Sequence, residues 1–307
     1  VSAEGGRRAI IAAFFANLGI AIAKFIGFLL TGAASMLAEA VHSVADTSNQ
    51  GLLLLGGRRA RRQPTAEHPF GYGRERYFWA FVVALVIFTV GAMFALYEGE
   101  EKLRHPHELE SVGVAVTILL VAIVFEMFSL RTAVRESNHV RGDQSWWEFI
   151  RRAKVPELPV VLLEDIGALI GLVFALAGVG LAEITGDARW DAVGSIAIGL
   201  LLGVIAITLI IEMKSLLIGE SASPAMLATI VSTIEENARV RRVIHMRTQH
   251  LGPDELLVAA KVELDANLSV PELAAAIDGV EAAVRAAVPE ARVIYLEPDM
   301  ARTHATT

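Results

Sequence analysis

No cysteine occurs among the 307 residues. Disulfides and thiolate metal centres are therefore excluded, and any transition metal has to be held by imidazole and carboxylate, which leaves zinc, manganese, iron and cobalt open. Charge is scarce as well, at 20% of residues. What there is sums to -7, with a pI near 5.7, so the chain lacks the basic face that neutralises phosphates and is not a nucleic-acid binder. An HExxH pair is also missing, and with it the usual signature of a metallohydrolase. Apolar residues, by contrast, make up 54% of the chain, and the mean hydropathy is +0.52. Such a composition belongs to a membrane protein.

Apolar runs long enough to cross about 30 Å of hydrocarbon lie at roughly 9–30, 35–57, 77–98, 111–133, 158–181 and 190–218. The first follows a short basic segment, VSAEGGRR, without an obvious cleavage site, and is expected to be retained as a span. Six spans place both termini on one side, and the arginines say which. Arg7 and Arg8 precede the first span, Arg58, Arg59, Arg61, Arg62, Arg74 and Arg76 fill the second connection, and Arg131, Arg135, Arg141, Arg151, Arg152 and Lys154 flank the fourth. The other connections, TGAAS, EGEEKLRHPHELE and AEITGDAR, hold few basic residues. The positive-inside rule then puts both termini in the cytoplasm of a multi-pass protein of the inner (plasma) membrane. In the fourth connection, SWWEFIRRAK combines aromatic residues with cations in the manner of an amphipathic helix lying at the lipid surface.

The character changes after Gly219. Leu227, Ile230, Val231 and Ile234 recur at helical spacing, Leu256, Val258, Ala260, Val262 and Leu264 alternate as in a strand, and Leu273, Ile277, Val280, Val284 and Val288 form a second helical stripe. VIHMRTQHL and ARVIYLE read as further strands. The expected order is helix, strand, strand, helix, strand. The chain thus divides into a transmembrane domain, 1–218, and a cytoplasmic α+β domain, 219–307. A unit of that size has little core, which favours packing against a second copy as a homodimer.

Chemistry concentrates in the second span, where MLAEAVHSVADTSNQ places His42 and Asp46 four residues apart on one helical face. An ionisable pair in hydrocarbon costs a few kcal/mol per group, so it marks function by default. Imidazole plus carboxylate one turn apart make half of a divalent-metal site; the alternative is polar glue between helices. The fifth span supplies acids in VVLLEDIGALIGL, Glu164 and Asp165. Neighbours on a helix point about 100° apart, so one of them meets the second-span pair directly. With Val161 one turn before it, Asp165 is expected to join His42 and Asp46, and Glu164 or a water to complete the shell. Close acids of this kind raise one proton affinity, which suits exchange of metal for protons.

Other polar residues lend themselves to lesser roles. Glu39 and Glu126 either line the ion path, with Glu126 facing Ser129 on its own helix, or pair with Lys24 or another cation. Asn17 and Asn49 suit interhelical hydrogen bonds. Asp191 suits a cap at the start of the sixth span. His68 with Glu67 is a weak peripheral metal signal, and His245 and His250, five apart on a strand, face opposite sides and suit surface positions.

In GAASMLAEAVHSVADTSNQ, HPFGYGRERY, WDAVGSIAIGLLLG and VIHMRTQHLGPDELLVAAKVEL the chain resembles the cation diffusion facilitators over nearly its whole length. The resemblance implies a six-helix transmembrane bundle followed by a ferredoxin-like, metallochaperone-like cytoplasmic domain. It also implies a homodimer that exports zinc, or manganese, iron, cobalt or cadmium, in exchange for protons by alternating access. His42, Asp46 and Asp165 match the family's transport ligands, with Glu164 as a fourth ligand or proton acceptor. Val161 stands at the family's fifth-span His position, so the LLED sequence resembles a subgroup that lacks it. Tyr72 replaces a loop imidazole beside His68. In the cytoplasmic domain His245 matches one family ligand, while the others read as Ala260 or Lys261 and Leu296 or Glu297, a set that does not suit metal sensing. A charge interlock of Arg74 with Glu220 is implied by resemblance only. Two other classes compete with the transporter: an intramembrane metallohydrolase, against which no nucleophile accompanies the acids, and a scaffold whose degenerate site moves no ions.

Overall fold

The structure, a computed structural model, describes residues 3–106 and 111–300, with the side chains of residues 3–16, 34 and 88 outside that description. Arg7, Arg8 and residues 107–110 of the third connection, all used above to assign sidedness, therefore lie outside the described side chains. By compactness the chain forms two units, one from the chain up to Arg59 with Arg76–Lys214, the other from Ala60–Glu75 with Ser215 onward.

The first unit is helical. Its long elements are α1 (Ala3–Thr31), α2 (Ala34–Ala60), α3 (Glu75–Val86) running through a π-helical turn (Ile87–Ala92) into α4 (Met93–Arg104), α5 (Val112–Arg141), α7 (Glu157–Thr185) and α8 (Arg189–Ile218), with the short α6 (Trp146–Arg152) between α5 and α7. Among the described residues, four stretches are long and apolar enough to cross a membrane: Glu75–Arg104, Val112–Arg141, Glu157–Thr185 and Arg189–Ile218. The described side chains of α1 cover the apolar stretch Asn17–Thr31, and α2, long enough at 27 residues, carries its polar residues in mid-helix. Leu120, Val121, Val124, Phe125 and Phe128 of α5, and Leu200, Val204, Ile207 and Ile211 of α8, are exposed. A monomeric soluble protein does not display apolar stripes of that extent; hydrocarbon solvates them.

Small residues let the helices approach. A Cβ on Gly99 of α4 would stand 3.0 Å from the Ala192 carbonyl oxygen of α8, and one on Gly199 of α8 would stand 2.9 Å from that of Ala92. On α7, Gly167, Ala168, Gly171, Ala175, Gly178 and Ala182 are buried. Close backbone contact through small residues is how spans associate where lipid removes the hydrophobic drive. The α1–α2 junction is held from outside the pair. Lys102 donates to the Gly32 carbonyl at 2.6 Å, and Asp191 accepts from Ser35 N at 3.2 Å and from the Ser35 hydroxyl. Asp191 stands in the first turn of α8, where a helix N-terminus favours a carboxylate as expected, and it also caps the first turn of α2.

The second unit contains α9 (Pro224–Glu235), β1 (Val240–Gly252), β2 (Glu255–Leu264), α10 (Val270–Ala287) and β3 (Val293–Pro298). Its sheet has the order β1-β2-β3, antiparallel then parallel. Leu256, Val258, Ala260, Val262 and Leu264 point to one face, as their alternation dictates, and bury against Ile230, Ile234, Val280 and Val284. Residues 60–75 group with this unit, a placement the sequence does not signal. Gly73 explains it, since a Cβ there would lie 2.8 Å from the Leu251 carbonyl oxygen and 3.1 Å from Gly252 Cα. Gly219, at φ +114°, ends α8 in a conformation that L-residues avoid, with the Gln249 amide packed where a Cβ would sit.

Candidate functional site

Four helices of the first unit carry a buried polar cluster. From α2 come Glu39, His42, Ser43, Asp46 and Asn49, from α1 Lys24, from α5 Glu126, with the half-buried Ser129 beside it, and from α7 Glu164 and Asp165. Glu39, His42, Asp46 and Asn49 fall at helical spacing and so share a face. The exposures of His42, Asp46, Glu164 and Asp165 are 1, 5, 5 and 7%, low enough that water cannot solvate their charges.

His42 Nδ1 stands 3.4 Å from Asp46 Oδ1, near enough for attraction but not aligned as a hydrogen bond, since both atoms are without a hydrogen-bond partner. Asp46 and Glu164 lie within hydrogen-bond reach of each other across α2 and α7. Asn49 Nδ2 donates to Glu164 Oε1 at 3.5 Å. Asp165 turns the other way and accepts from the Ser129 hydroxyl of α5 at 3.0 Å. The two adjacent acids of LLED therefore diverge as helix geometry requires, but it is Glu164, not Asp165, that meets the second-span pair. Ser129 likewise serves Asp165 rather than Glu126. Glu126 lies close enough to Asp46, Glu164 and Asp165 for its charge to act on all three, which makes it a central member of the cluster that sequence reasoning left undecided.

Unused donor capacity marks the same place. Both ring nitrogens of His42, Asp46 Oδ1, Asn49 Oδ1 and Glu164 Oε2 are buried without a hydrogen-bond partner. Each such atom costs about 1–3 kcal/mol, so their concentration around one point needs a compensating interaction. Nitrogen and carboxylate oxygen are the donor set that zinc, manganese or iron accepts. In the conformation described, however, no group of three or more His, Asp or Glu among the described residues stands close enough to grip one ion. The cluster is a set of half-sites, with His42 and Asp46 on one helix and Glu164 on another.

The third span approaches His42 through its π-helical turn. A Cβ on Gly91 would be 3.2 Å from Leu202 Cδ1 and 3.9 Å from His42 Nδ1. Such turns collect at functional sites because the widened helix re-aims its neighbours. Nothing in IFTVGA signals one. Asn49 was legible in principle, lying three residues after Asp46, whereas its partner Glu164 was not.

Elsewhere the expected sites are plainer. His68 and Glu67 are exposed, and the His68 ring packs on Tyr72 at 4.7 Å. His245 and His250 do face opposite sides, with His245 exposed opposite Lys261 and His250 opposite Leu256. His250 is buried at 2% exposure, however, and is not the surface residue expected: its register puts it on the core face. Lys261 bridges Glu297 at 2.9 Å and Asp299 at 3.2 Å. These bonds, that to Glu297 first, hold its ammonium above the usual lysine range. Near the membrane surface Arg76 makes a bidentate pair with Glu157 at 2.6 and 2.9 Å, an interlock between α3 and α7 absent from the sequence reading.

Comparison with known proteins places this cluster in context. The family profile for the cation efflux transmembrane domain matches residues 10–218, and that for the cation efflux protein cytoplasmic domain matches residues 222–299. A human relative, the mitochondrial proton-coupled zinc antiporter SLC30A9, is 34% identical over 244 residues, which are 79% of this chain and 43% of that protein. Metal tolerance protein C4 of Arabidopsis thaliana is 27% identical over 88% of this chain and 60% of its own length. Magnetosome protein MamB of Magnetospira sp. (strain QH-2) is 25% identical over 92% of each. The chain thus spans less than half the length of its human relative. Among solved structures, a nickel form of the MamM C-terminal domain is 21% identical, with a TM-score of 0.25, covering 26% of this chain and all of that one.

Proposed function

The chain belongs to the cation efflux (cation diffusion facilitator) family, and from that premise we propose that it exports a divalent cation, zinc first, from the cytoplasm across the inner membrane in exchange for protons. The ligands are His42, Asp46 and Glu164, with Asp165, turned toward Ser129, as a neighbouring acid. The single observation that carries this reading is the set of unpartnered donor atoms on His42, Asp46 and Glu164, buried together in mid-helix. The relative named as a proton-coupled zinc antiporter supports both the ion and its coupling.

Chemically, the cycle follows from two carboxyls within reach of each other. Asp46 and Glu164 cannot both stay ionised and unpaired in hydrocarbon. They share a proton, or a divalent ion takes the proton's place and recruits the His42 imidazole as a neutral ligand. Either state keeps the buried charge low, so the helices can rock between the two faces of the membrane in both. Asp165 and Glu126 extend the acid cluster and offer further proton positions. Because no three of these groups converge on one point in the conformation described, loading an ion requires the His42 imidazole to close on the Asp46 and Glu164 pair. The cytoplasmic domain pairs two copies into a homodimer. Manganese, iron, cobalt and cadmium are alternative cargoes for a donor set without sulfur.

That no three His, Asp or Glu side chains among the described residues converge on one point supports a second reading, a membrane scaffold that moves no ion. One experiment separates the two. Full-length protein in liposomes carrying internal zinc and pH indicators should show zinc entry driving proton exit. Zinc flux without a pH change would remove the coupling, and intact dimers that bind and move none of the five cations would establish the scaffold.

A further inference from the structure

Transport as proposed makes no use of Lys24. This residue lies on α1 with its side chain fully buried, and its ammonium donates to Glu39 Oε2 at 3.0 Å and to the Ser43 hydroxyl at 2.8 Å. Both partners sit on α2. Ser43 follows His42 directly, and Glu39 lies three residues before it, so the ammonium rests along the face that also carries Asp46. Its charge acts on His42, Asp46 and Glu126. An ordinary structural ion pair saturates both members, but here Glu39 Oε1 has no hydrogen-bond partner. Gly171 of α7 is what makes room for it, since a Cβ there would fall 2.6 Å from that oxygen. The ammonium also reaches Ser43, next to His42, so its charge is felt at the donor atoms one turn away even though Glu39 pairs with it.

We propose that Lys24 is a resident cation that weakens the hold of the His42, Asp46 and Glu164 cluster on its divalent ion, so that the ion can leave. This inference rests on the transport reading above. The physical reasoning is elementary. Five carboxyl groups, Glu39, Asp46, Glu126, Glu164 and Asp165, are buried in the same unit as one buried ammonium, whose charge acts on the first three. In a medium of low dielectric constant their combined pull on a divalent ion is strong and poorly screened. A site that binds too tightly does not turn over, because conduction and transport both need a bound state weak enough to empty. A fixed positive charge beside the acids lowers that pull without removing a ligand. Lys24 is a positioning and tuning residue in this scheme. It touches Glu39 and Ser43, not the ion.

The sign of the effect tests it. Zinc titrations of full-length protein in lipid nanodiscs should show Lys24→Met binding at least about tenfold more tightly, with a lower KM and slower turnover in liposomes. Lys24→Arg, which keeps the charge, should stay near wild type. Glu39→Gln leaves the lysine uncompensated and should bind about tenfold more weakly. A purely structural ion pair gives no increase in affinity on its loss. Lys24→Met that binds zinc no more tightly than wild type overturns the proposal. Should that variant not fold, Glu39→Gln decides, and binding equal to or tighter than wild type overturns it. Wild-type protein that binds no zinc would bring down the transport reading and this inference together. Wild-type binding with an unmoved Lys24→Met removes only the inference.

Discussion

The helical unit and the sheet-bearing unit treat polar groups in opposite ways. In the interior of the C-terminal unit, Ile230, Ile234, Leu256, Val258, Val262, Val280 and Val284 form an aliphatic core, while Arg241, Arg242 and Lys261 pair with Asp265, Glu263 and Glu297 at the surface. In the interior of the helical unit Lys24, Glu39, His42, Asp46, Glu126, Glu164 and Asp165 are buried, and several of their donor atoms lack partners. A core built only for stability removes such groups, because each orphan costs free energy that a methyl group would not. The helical unit keeps them where its closest solvent is hydrocarbon, the most expensive place to do so. Stability accounts for one interior; the proposed ion handling accounts for the other.

The contrast can be broken from either side. Asp46→Asn or Glu164→Gln should abolish zinc-driven proton exit and lower zinc affinity by about 100-fold or more, while calorimetric melting of the C-terminal unit in the same full-length protein stays unchanged. Leu256→Ala should do the reverse, destabilising the C-terminal unit by about 2–5 kcal/mol and leaving zinc affinity in the spans intact. Loss of zinc binding in Leu256→Ala would mean that the two interiors are not separable. An intermediate effect is expected from Asp191→Ala. Losing the cap on the first turn of α2 should cost about 1–2 kcal/mol, read as earlier unfolding of the membrane unit in a denaturant titration, with ligand atoms untouched.

The smallest effect concerns the capping box of α10. Ser269 donates from its backbone N–H at 2.9 Å and from its hydroxyl at 2.7 Å to Glu272. These bonds hold the Glu272 carboxyl below the ordinary glutamate value of 4.5. A carboxyl depressed in the folded state adds stability above its unfolded pKa, and that stability is lost as pH falls through the folded value. Melting of the C-terminal unit should therefore soften in acid, and Glu272→Gln should remove that part of the dependence. A variant with the wild-type pH profile would assign the acid sensitivity to other groups.

Much of this was legible in the linear chain. The runs beginning near residues 77, 111, 158 and 190 correspond to spans because about 20 apolar residues in succession have few other uses. The order helix, strand, strand, helix, strand followed from two periodicities, and the alternation from Leu256 to Leu264 is the alternation of burial in β2. His42 and Asp46 could be singled out because four residues make one helical turn. Less could be said about their partners. That Asp191 also caps α2 was not visible, Ser129 serves Asp165 rather than Glu126, and the π-helical turn beside His42 left no trace in IFTVGA.

The sequence by itself determined that His42 and Asp46 share one face of the second-span helix and that Glu164 and Asp165 must diverge, since both depend only on the local repeat of the helix. Which of those two acids meets Asp46 depends on how α7 is rotated about its axis. That rotation is set by close packing, of Gly167 against Ile205 and of Gly171 against Glu39. Contacts between residues far apart in the chain decide it, and only the tertiary structure contains them.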